Sequence, residues 1–267
     1  MPLLPRRVRI LVAAGLLAIT VALAQRGFRS RYDDEEDNPA PMPADAEEKT
    51  EWVFGRLRYS SSGGRRWGGG SWGTDYPKAD RQFVQGVRRL TRLHTKSIEQ
   101  VVDIDSDEMF TVPWLYAVEV GYWGISDQQA ARLRQYLLRG GFLMTDDFHG
   151  TDQWESFVEV MQRVFPDRTI TDIEDQNAIF HVLYNLDGRF QVPGIQMFRS
   201  GRTSERDGYE ARWRGITDDK GRIMVAICHN MDLGDAWEWA DHPRYPENYA
   251  SLAYRVGVNY IIYSMTH

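Results

Sequence analysis

Apolar residues between positions 51 and 267 recur with two periods, one close to two residues and one close to 3.6 residues. The shorter period and short apolar runs predict strands, whereas the longer period predicts helices with one buried face. The predicted strands are Trp52–Tyr59, Gln100–Ile104, Trp114–Val120 and Phe142–Met144, and the predicted helices are Ala79–His94, Ser126–Leu138 and Trp154–Val164. Ser126 and Gln129 have the spacing of a helix capping box. This alternation predicts an α/β fold with a mostly parallel sheet.

The second half of the chain has less regular periodicity. Its predicted elements are strands at Ile179–Leu186 and Gln196–Arg199, a hairpin of Tyr209–Ile216 with Arg222–Cys228, and a helix at Tyr249–Met265. The hairpin follows from two apolar runs separated by a polar turn that ends in Gly221. Residues 51–267 are therefore predicted to form a single α/β domain, a mostly parallel sheet with an added hairpin.

The N-terminus has the pattern of an export signal. Three arginines, at positions 6, 7 and 9, precede an apolar run from Ile10 to Ala24 that ends in Ala22-Leu23-Ala24. A basic start, a short apolar run and small residues at the end are typical of a cleaved signal peptide. We predict a signal peptide at residues 1–24 and a periplasmic or secreted protein. The alternative is an uncleaved segment that anchors the protein in the inner membrane, facing the periplasm.

Residues 25–50 join this segment to the domain. They are rich in acids and prolines, including the run Asp33–Asp37 and the prolines at 39, 41 and 43, and they have no apolar period. Such a segment buries too little apolar surface to offset the entropy of ordering it. We therefore predict a disordered, acidic, proline-containing linker.

Composition narrows the class of partner. The chain of 267 residues has a formal net charge of -6 and a single cysteine. Net negative charge argues against a nucleic-acid partner, since phosphates require a basic surface. One cysteine excludes an internal disulfide and a cysteine-rich zinc site.

A glycine-rich loop follows the first predicted strand, between residues 63 and 77. Gly68, Gly70 and Gly73 fit a G-x-G-x-x-G spacing, but the loop does not open directly into a helix as a dinucleotide site requires. Exposed tryptophans beside arginines suit flat polar ligands. The candidate ligand-binding residues are Arg58, Trp67, Trp72, Asp75 and Tyr76. The alternative is a surface loop without a ligand.

Polar residues also follow two apolar strands. Asp146, Asp147 and His149 follow Phe142–Met144, and α/β sheets bind ligands at the carboxyl ends of their strands. His229 and Asp232 follow Arg222–Cys228 and would share this edge if the two strands are parallel. The candidate catalytic residues are Asp146, Asp147, His149 and His229, and the candidate ligands of a divalent metal are Asp147, His149, His229 and Asp232. The alternatives are a helix cap and a loop held by its own turns.

Four segments of the chain resemble one family. They are Arg56-Leu57-Arg58-Tyr59, Trp72-Gly73-Thr74-Asp75-Tyr76-Pro77, Leu137 through Gly140-Gly141 to Asp146-Asp147-Phe148-His149-Gly150, and Val164-Phe165-Pro166-Asp167. These segments are similar to the bacterial domain-of-unknown-function family numbered 4159. That family resembles the class I glutamine amidotransferases, which implies a flavodoxin-like three-layer sandwich. Many of its members are exported, which implies work in the cell envelope.

The same resemblance places Asp147 where an active amidotransferase has its nucleophilic cysteine. A carboxylate cannot form the thioester that this reaction needs, so we expect no glutamine amidotransferase activity. Cys228 ends an apolar run instead and is expected to be buried and inert. Two classes of function remain. One is an exported, non-catalytic domain that binds a protein partner or an envelope saccharide through the loop and the sheet edge, and the other is a metal-assisted or acid/base hydrolase.

Overall fold

The computed structural model describes residues 42–61 and 72–267, and a compact unit begins at Pro43. The predicted signal peptide, Trp67 and the linker up to residue 41 lie outside the described residues. Residues 43–50 pack on the domain, where Asp45 accepts hydrogen bonds from the backbone and hydroxyl of Ser97 and pairs with Arg88. The compact unit therefore starts ahead of the predicted boundary at residue 51. Within the described ranges, no helix is both long enough and apolar enough to cross a membrane.

The described residues form a seven-stranded mixed sheet in the order β2-β1-β3-β4-β7-β6-β5. The strands are β1 (Gly55–Arg58), β2 (Gln100–Asp103), β3 (Trp114–Val118), β4 (Phe142–Asp146), β5 (Thr171–Asp172), β6 (Arg212–Thr217) and β7 (Ile223–His229). The helices are α1 (Lys78–Leu90), α2 (Asp127–Leu138), α3 (Gly150–Val164), α4 (Ile195–Arg199), α5 (Leu233–Glu238) and α6 (Glu247–Thr266). Short 3-10 helices lie at Asp107–Thr111, Val120–Tyr122 and Ala178–Phe180.

Strands β2, β1, β3, β4 and β7 are parallel, and β6 and β5 are added in antiparallel order. This arrangement confirms the α/β fold, the mostly parallel sheet and the hairpin of β6 with β7. The capping box is also confirmed, since the Ser126 hydroxyl accepts from the Gln129 amide at 3.2 Å and the Gln129 side chain accepts from the Ser126 amide at 2.8 Å.

Two predicted strands are wrong. Gln196–Arg199 belongs to helix α4, and Ile179–Leu186 begins in a 3-10 turn. Apolar runs this short fit one turn of helix as well as a strand, so local capping decides between them. The Asn177 side chain accepts a hydrogen bond from the Ile179 amide and fixes the turn.

Alternate residues of the central strands pack against helices on opposite faces of the sheet. Phe142 and Met144 of β4 join the core formed with α1 and α6, whereas Leu143 joins the core formed with α2 and α3. Because both faces are covered, β3, β4 and β7 are buried along their whole length. Because β2, β1, β3, β4 and β7 run parallel, their carboxyl ends lie at one edge of the sheet, which we call the carboxyl edge.

Candidate functional site

Backbone strain is concentrated at the carboxyl edge. Asp75, Glu119 and Asp147 have φ angles of 62°, 53° and 52°. Glu119 follows β3, Asp147 follows β4, and Asp75 lies in the segment that leads into α1. A non-glycine residue in this left-handed region costs about 1–2 kcal/mol, and such residues are found where a site dictates the backbone.

Five carboxylates meet at this edge. Ligand oxygens of Asp75, Asp147 and Asp232 all lie within 4.8 Å of one another, and those of Asp75, Asp235 and Glu238 form a second such group. We call these five residues the carboxylate cluster. Asp75 belongs to both groups. The cluster joins the turn after β4, the end of β7 and helix α5 to the segment before α1.

Hydrogen bonds orient three members of the cluster. Asp147 Oδ1 lies 3.1 Å from Nε2 of His149. Asp232 Oδ1 accepts from the Asp235 amide at 2.8 Å, which caps α5. Asp235 Oδ2 accepts from the Ile195 amide at 2.7 Å.

Asp75 differs from these three members. Its side chain is buried, and its Oδ2 has no hydrogen-bond partner among the described residues.

Two glycines leave room for the carboxylates. A β-carbon on Gly234 would lie 2.7 Å from Asp75 Oδ2, and one on Gly194 would lie 2.4 Å from Asp232 Oδ2. Both distances are shorter than van der Waals contact, so any larger residue would displace a carboxylate.

Burial raises the pKa of Asp75, Asp147 and Asp232 well above the ordinary value, and repulsion between the carboxylates adds to this effect. Burial and then the charge of Asp235 raise the pKa of Glu238 to about 8. The guanidinium of Arg56 opposes the rise at Asp75 only in part. The cluster therefore favours bound protons or another positive charge over five ionised carboxylates.

Asp146, a predicted catalytic residue, is fully buried and holds helix α5. Its Oδ2 accepts from the Leu233 amide at 2.7 Å, the Gly234 amide at 3.0 Å and the Tyr116 hydroxyl at 3.0 Å. Burial raises its pKa to about 7 although these hydrogen bonds lower it. Its contacts make it a positioning residue that fixes the helix bearing Asp235 and Glu238.

His149 contacts Asp147 of the cluster, and neither predicted histidine belongs to either group of converging ligand atoms. Burial, then the charge of His229, lowers the pKa of His149 to about 3, so its ring is neutral and orients Asp147. The His229 ring packs against Phe148 and Trp154, with both centroid distances 4.9 Å, and its Nε2 lies 3.2 Å from the Gly150 carbonyl. The structure thus brings Asp147 and Asp232 of the predicted metal set together and supplies Asp75 in place of the histidines.

The predicted ligand-binding residues that the structure describes lie at two different sites. The Trp72 ring lies 5.6 Å from that of Tyr76, and the Arg58 guanidinium lies 5.7 Å from the Trp72 ring. We call these three residues the aromatic surface. Asp75 lies in the carboxylate cluster instead. Because Asp75 and Tyr76 are adjacent in the chain, the aromatic surface and the cluster are neighbours.

A buried ion pair that the sequence analysis missed holds in position the segment that carries Trp72 of the aromatic surface and Asp75 of the carboxylate cluster. Arg56 and Asp80 are fully buried, and Arg56 Nε donates to Asp80 Oδ2 at 2.9 Å. Arg56 also donates to the carbonyls of Trp72 and Thr74, each at 3.3 Å. The segment with Trp72 and Asp75 is therefore tied to β1 and α1. The sequence did contain one signal of this pair, which is an arginine within the apolar pattern of a strand.

Glu119 and Glu238 were also missed. Glu119 follows β3 in the structure but lies inside the predicted strand Trp114–Val120, so the rule that located Asp147 did not reach it. Burial and the charge of Glu205 raise the Glu119 pKa to about 7. Glu238 lies on α5, a helix that the sequence pattern did not predict.

The model of a family described as a domain of unknown function (DUF4159) matches residues 53–265. No curated protein matches the chain.

Proposed function

We propose, since the chain belongs to the DUF4159 family, that it is an exported amidotransferase-like domain that binds an envelope saccharide and lacks amidotransferase activity. The amidotransferase-like part of the proposal is supported by the turn after β4. Strand β4 ends at Asp146, Asp147 has a φ of 52°, and helix α3 begins at Gly150. Such a strand, sharp turn and helix present a side chain at the carboxyl edge, where amidotransferases carry cysteine.

The loss of amidotransferase activity is supported by the position of the cysteine. Cys228 is fully buried in β7, and its Sγ faces the Tyr260 hydroxyl at 4.0 Å. Burial raises the pKa of the thiol well above its ordinary value, so the reactive thiolate is disfavoured. Asp147, at the nucleophile position, cannot form a thioester.

Export is part of the proposal and rests on the signal-like residues 1–24. The protein would act in the periplasm or outside the cell. If residues 1–24 are not cleaved, they would anchor it in the inner membrane.

Saccharide binding is carried by one observation, the aromatic surface beside the carboxylate cluster. Trp72 and Tyr76 are half-buried, so their rings are fixed and still offer apolar area. A sugar ring stacks on such area, and its hydroxyls bond to charged groups around it. A protein partner is the other candidate ligand, but the adjacent carboxylates favour a ligand rich in hydroxyl groups.

Replacing Trp72 by alanine is expected to weaken binding of soluble peptidoglycan fragments by about 10-fold or more, because the stacking area is lost. Titration calorimetry measures the change. Tyr209→Ala removes an exposed aromatic residue outside the aromatic surface and should leave affinity unchanged. Equal affinity of Trp72→Ala and the wild-type protein, or no saccharide binding by the wild-type protein, would overturn saccharide binding and favour a protein partner.

A metal-assisted hydrolase is the second candidate, favoured by the convergence of Asp75, Asp147 and Asp232. If it is correct, hydrolysis of peptidoglycan or of ester-linked envelope saccharides requires a divalent cation. Asp147→Asn would then lower the rate by about 100-fold or more, with folding unchanged. A rate independent of cations and of Asp147 would exclude this candidate.

A further inference from the structure

We propose that the carboxylate cluster binds two divalent cations that share Asp75 as a common ligand. One cation is held by Asp75 together with Asp147 and Asp232. The other is held by Asp75 together with Asp235 and Glu238. Within each group the ligand oxygens lie within 4.8 Å of one another, which allows a single ion to contact all three carboxylates. Bridged pairs of ions in proteins lie about 3.5–4 Å apart, a separation that one carboxylate spans.

The buried oxygen of Asp75 points to a ligand. Asp75 is 9% exposed, and its Oδ2 has no hydrogen-bond partner among the described residues. Glu238, 4% exposed, also has a buried oxygen, Oε2, without such a partner. A buried acceptor without a partner costs about 1–3 kcal/mol, and more when it is charged. A cation beside Asp75 would satisfy the carboxylate that belongs to both groups.

The other ligands are already oriented. His149 holds Asp147 through Oδ1, and backbone amides hold one oxygen each of Asp232 and Asp235. Bonds of this kind to ligand carboxylates are characteristic of metal sites, because they fix the direction of the remaining oxygen. Three of the five side chains are therefore already held in place by hydrogen bonds.

The charge at the site favours two ions over one. Five ionised carboxylates carry five negative charges, and buried charges are stable only when they are compensated. Two cations near the cluster are each paired with another acid, Arg56 with Asp80 and Lys78 with Asp241 at 3.8 Å. One divalent ion would offset two of the five charges, whereas two ions would offset four.

The ligand atoms define the class of ion. All five ligands are carboxylate oxygens, which suit hard cations such as Ca²⁺, Mg²⁺ and Mn²⁺. Neither group contains a cysteine or histidine ligand, the types that favour Zn²⁺ or Cu²⁺.

Equilibrium dialysis of the full chain against Mn²⁺ and, separately, Ca²⁺ at pH 7.5, followed by metal analysis, is expected to give two ions per chain. Asp147→Asn and Glu238→Gln should each weaken one ion by about 100-fold or more and retain the other. Asp75→Asn should weaken both. Asp152→Asn, which changes an exposed acid in the first turn of α3, should retain two ions.

Fewer than two ions per chain in the wild-type protein overturns the shared centre, and so does a Glu238→Gln variant that still binds two. Near-ultraviolet circular dichroism verifies that each variant is folded. If Asp75→Asn does not fold, the two single-group variants still decide the outcome. The ion count requires no saccharide and no hydrolysis, so its failure is distinguishable from failure of the proposed function.

Discussion

Replacing Arg56 by methionine is expected to lower the free energy of unfolding by about 3–5 kcal/mol, because it leaves the fully buried Asp80 without its partner. Burial already raises the pKa of Asp80 to about 6 with the arginine in place. The carbonyls of Trp72 and Thr74 would also lose a donor. If the proposed saccharide binding is correct, saccharide affinity should fall together with stability. Urea unfolding and calorimetry measure the two effects.

Arg58→Met is the matched control. Arg58 lies two residues further along β1 and pairs with Asp103, but these side chains are 47% and 45% exposed. Exposed pairs contribute about 1 kcal/mol or less, so this variant should unfold near the wild-type urea concentration. Equal destabilisation by the two variants would show that burial does not set the strength of the Arg56 pair.

The free energy of unfolding is also expected to fall as the pH rises from 6.5 to 8 in the presence of a chelator. Carboxyls in the unfolded chain have lost their protons by pH 6.5, whereas burial raises the folded-state pKa of Asp146 and Glu119 to about 7 and of Glu238 to about 8. The folded state therefore binds more protons in this range. Each such proton lowers the free energy of unfolding by about 1.4 kcal/mol per pH unit.

Above pH 6.5 the carboxyls change the free energy of unfolding with pH, whereas the histidines do not. Burial lowers the folded-state pKa of His149 to about 3 and of His229 to about 4, so the unfolded state gains their protons first as the pH falls below 6.5. Their effect therefore destabilises the protein only on the acid side.

Urea unfolding at pH 6.5, 7, 7.5 and 8 measures the expected decline. Glu238→Gln should make it shallower, because the group whose pKa is raised to about 8 is gone. Asp152→Asn should leave the slope unchanged. A free energy of unfolding that rises with pH over this window would contradict the prediction.

The sequence was sufficient for the elements with long apolar runs. Strands β3, β4 and β7 are buried on both faces, so their apolar runs were unmistakable. The hairpin was predictable from its turn, where Asp218 accepts hydrogen bonds from the amides of Lys220 and Arg222. Short elements such as α4 and α5 were not predictable, because a single turn contains too few residues to define a period.

The candidate site was predictable only in part, for a different physical reason. Asp147 and Asp232 could be placed at one edge because parallel strands end together, and β4 does pair with β7 in parallel. Asp75 could not be placed, because its segment precedes α1 and belongs to no strand. Its position depends on Arg56 and the Trp72 and Thr74 carbonyls, contacts that leave no periodic trace in the sequence.

The bonds from the Leu233 and Gly234 amides to Asp146 join distant parts of the chain at the carboxyl edge. Leu233 and Asp146 are separated by 87 residues in the chain. Contacts over such separations form late, because a long loop must close before they stabilise the protein. Neighbouring segments such as β3, α2 and β4 can meet earlier through local contacts. We therefore expect the five carboxylates to come together only after β4 has paired with β7, so that the cost of burying them opposes a late step of folding.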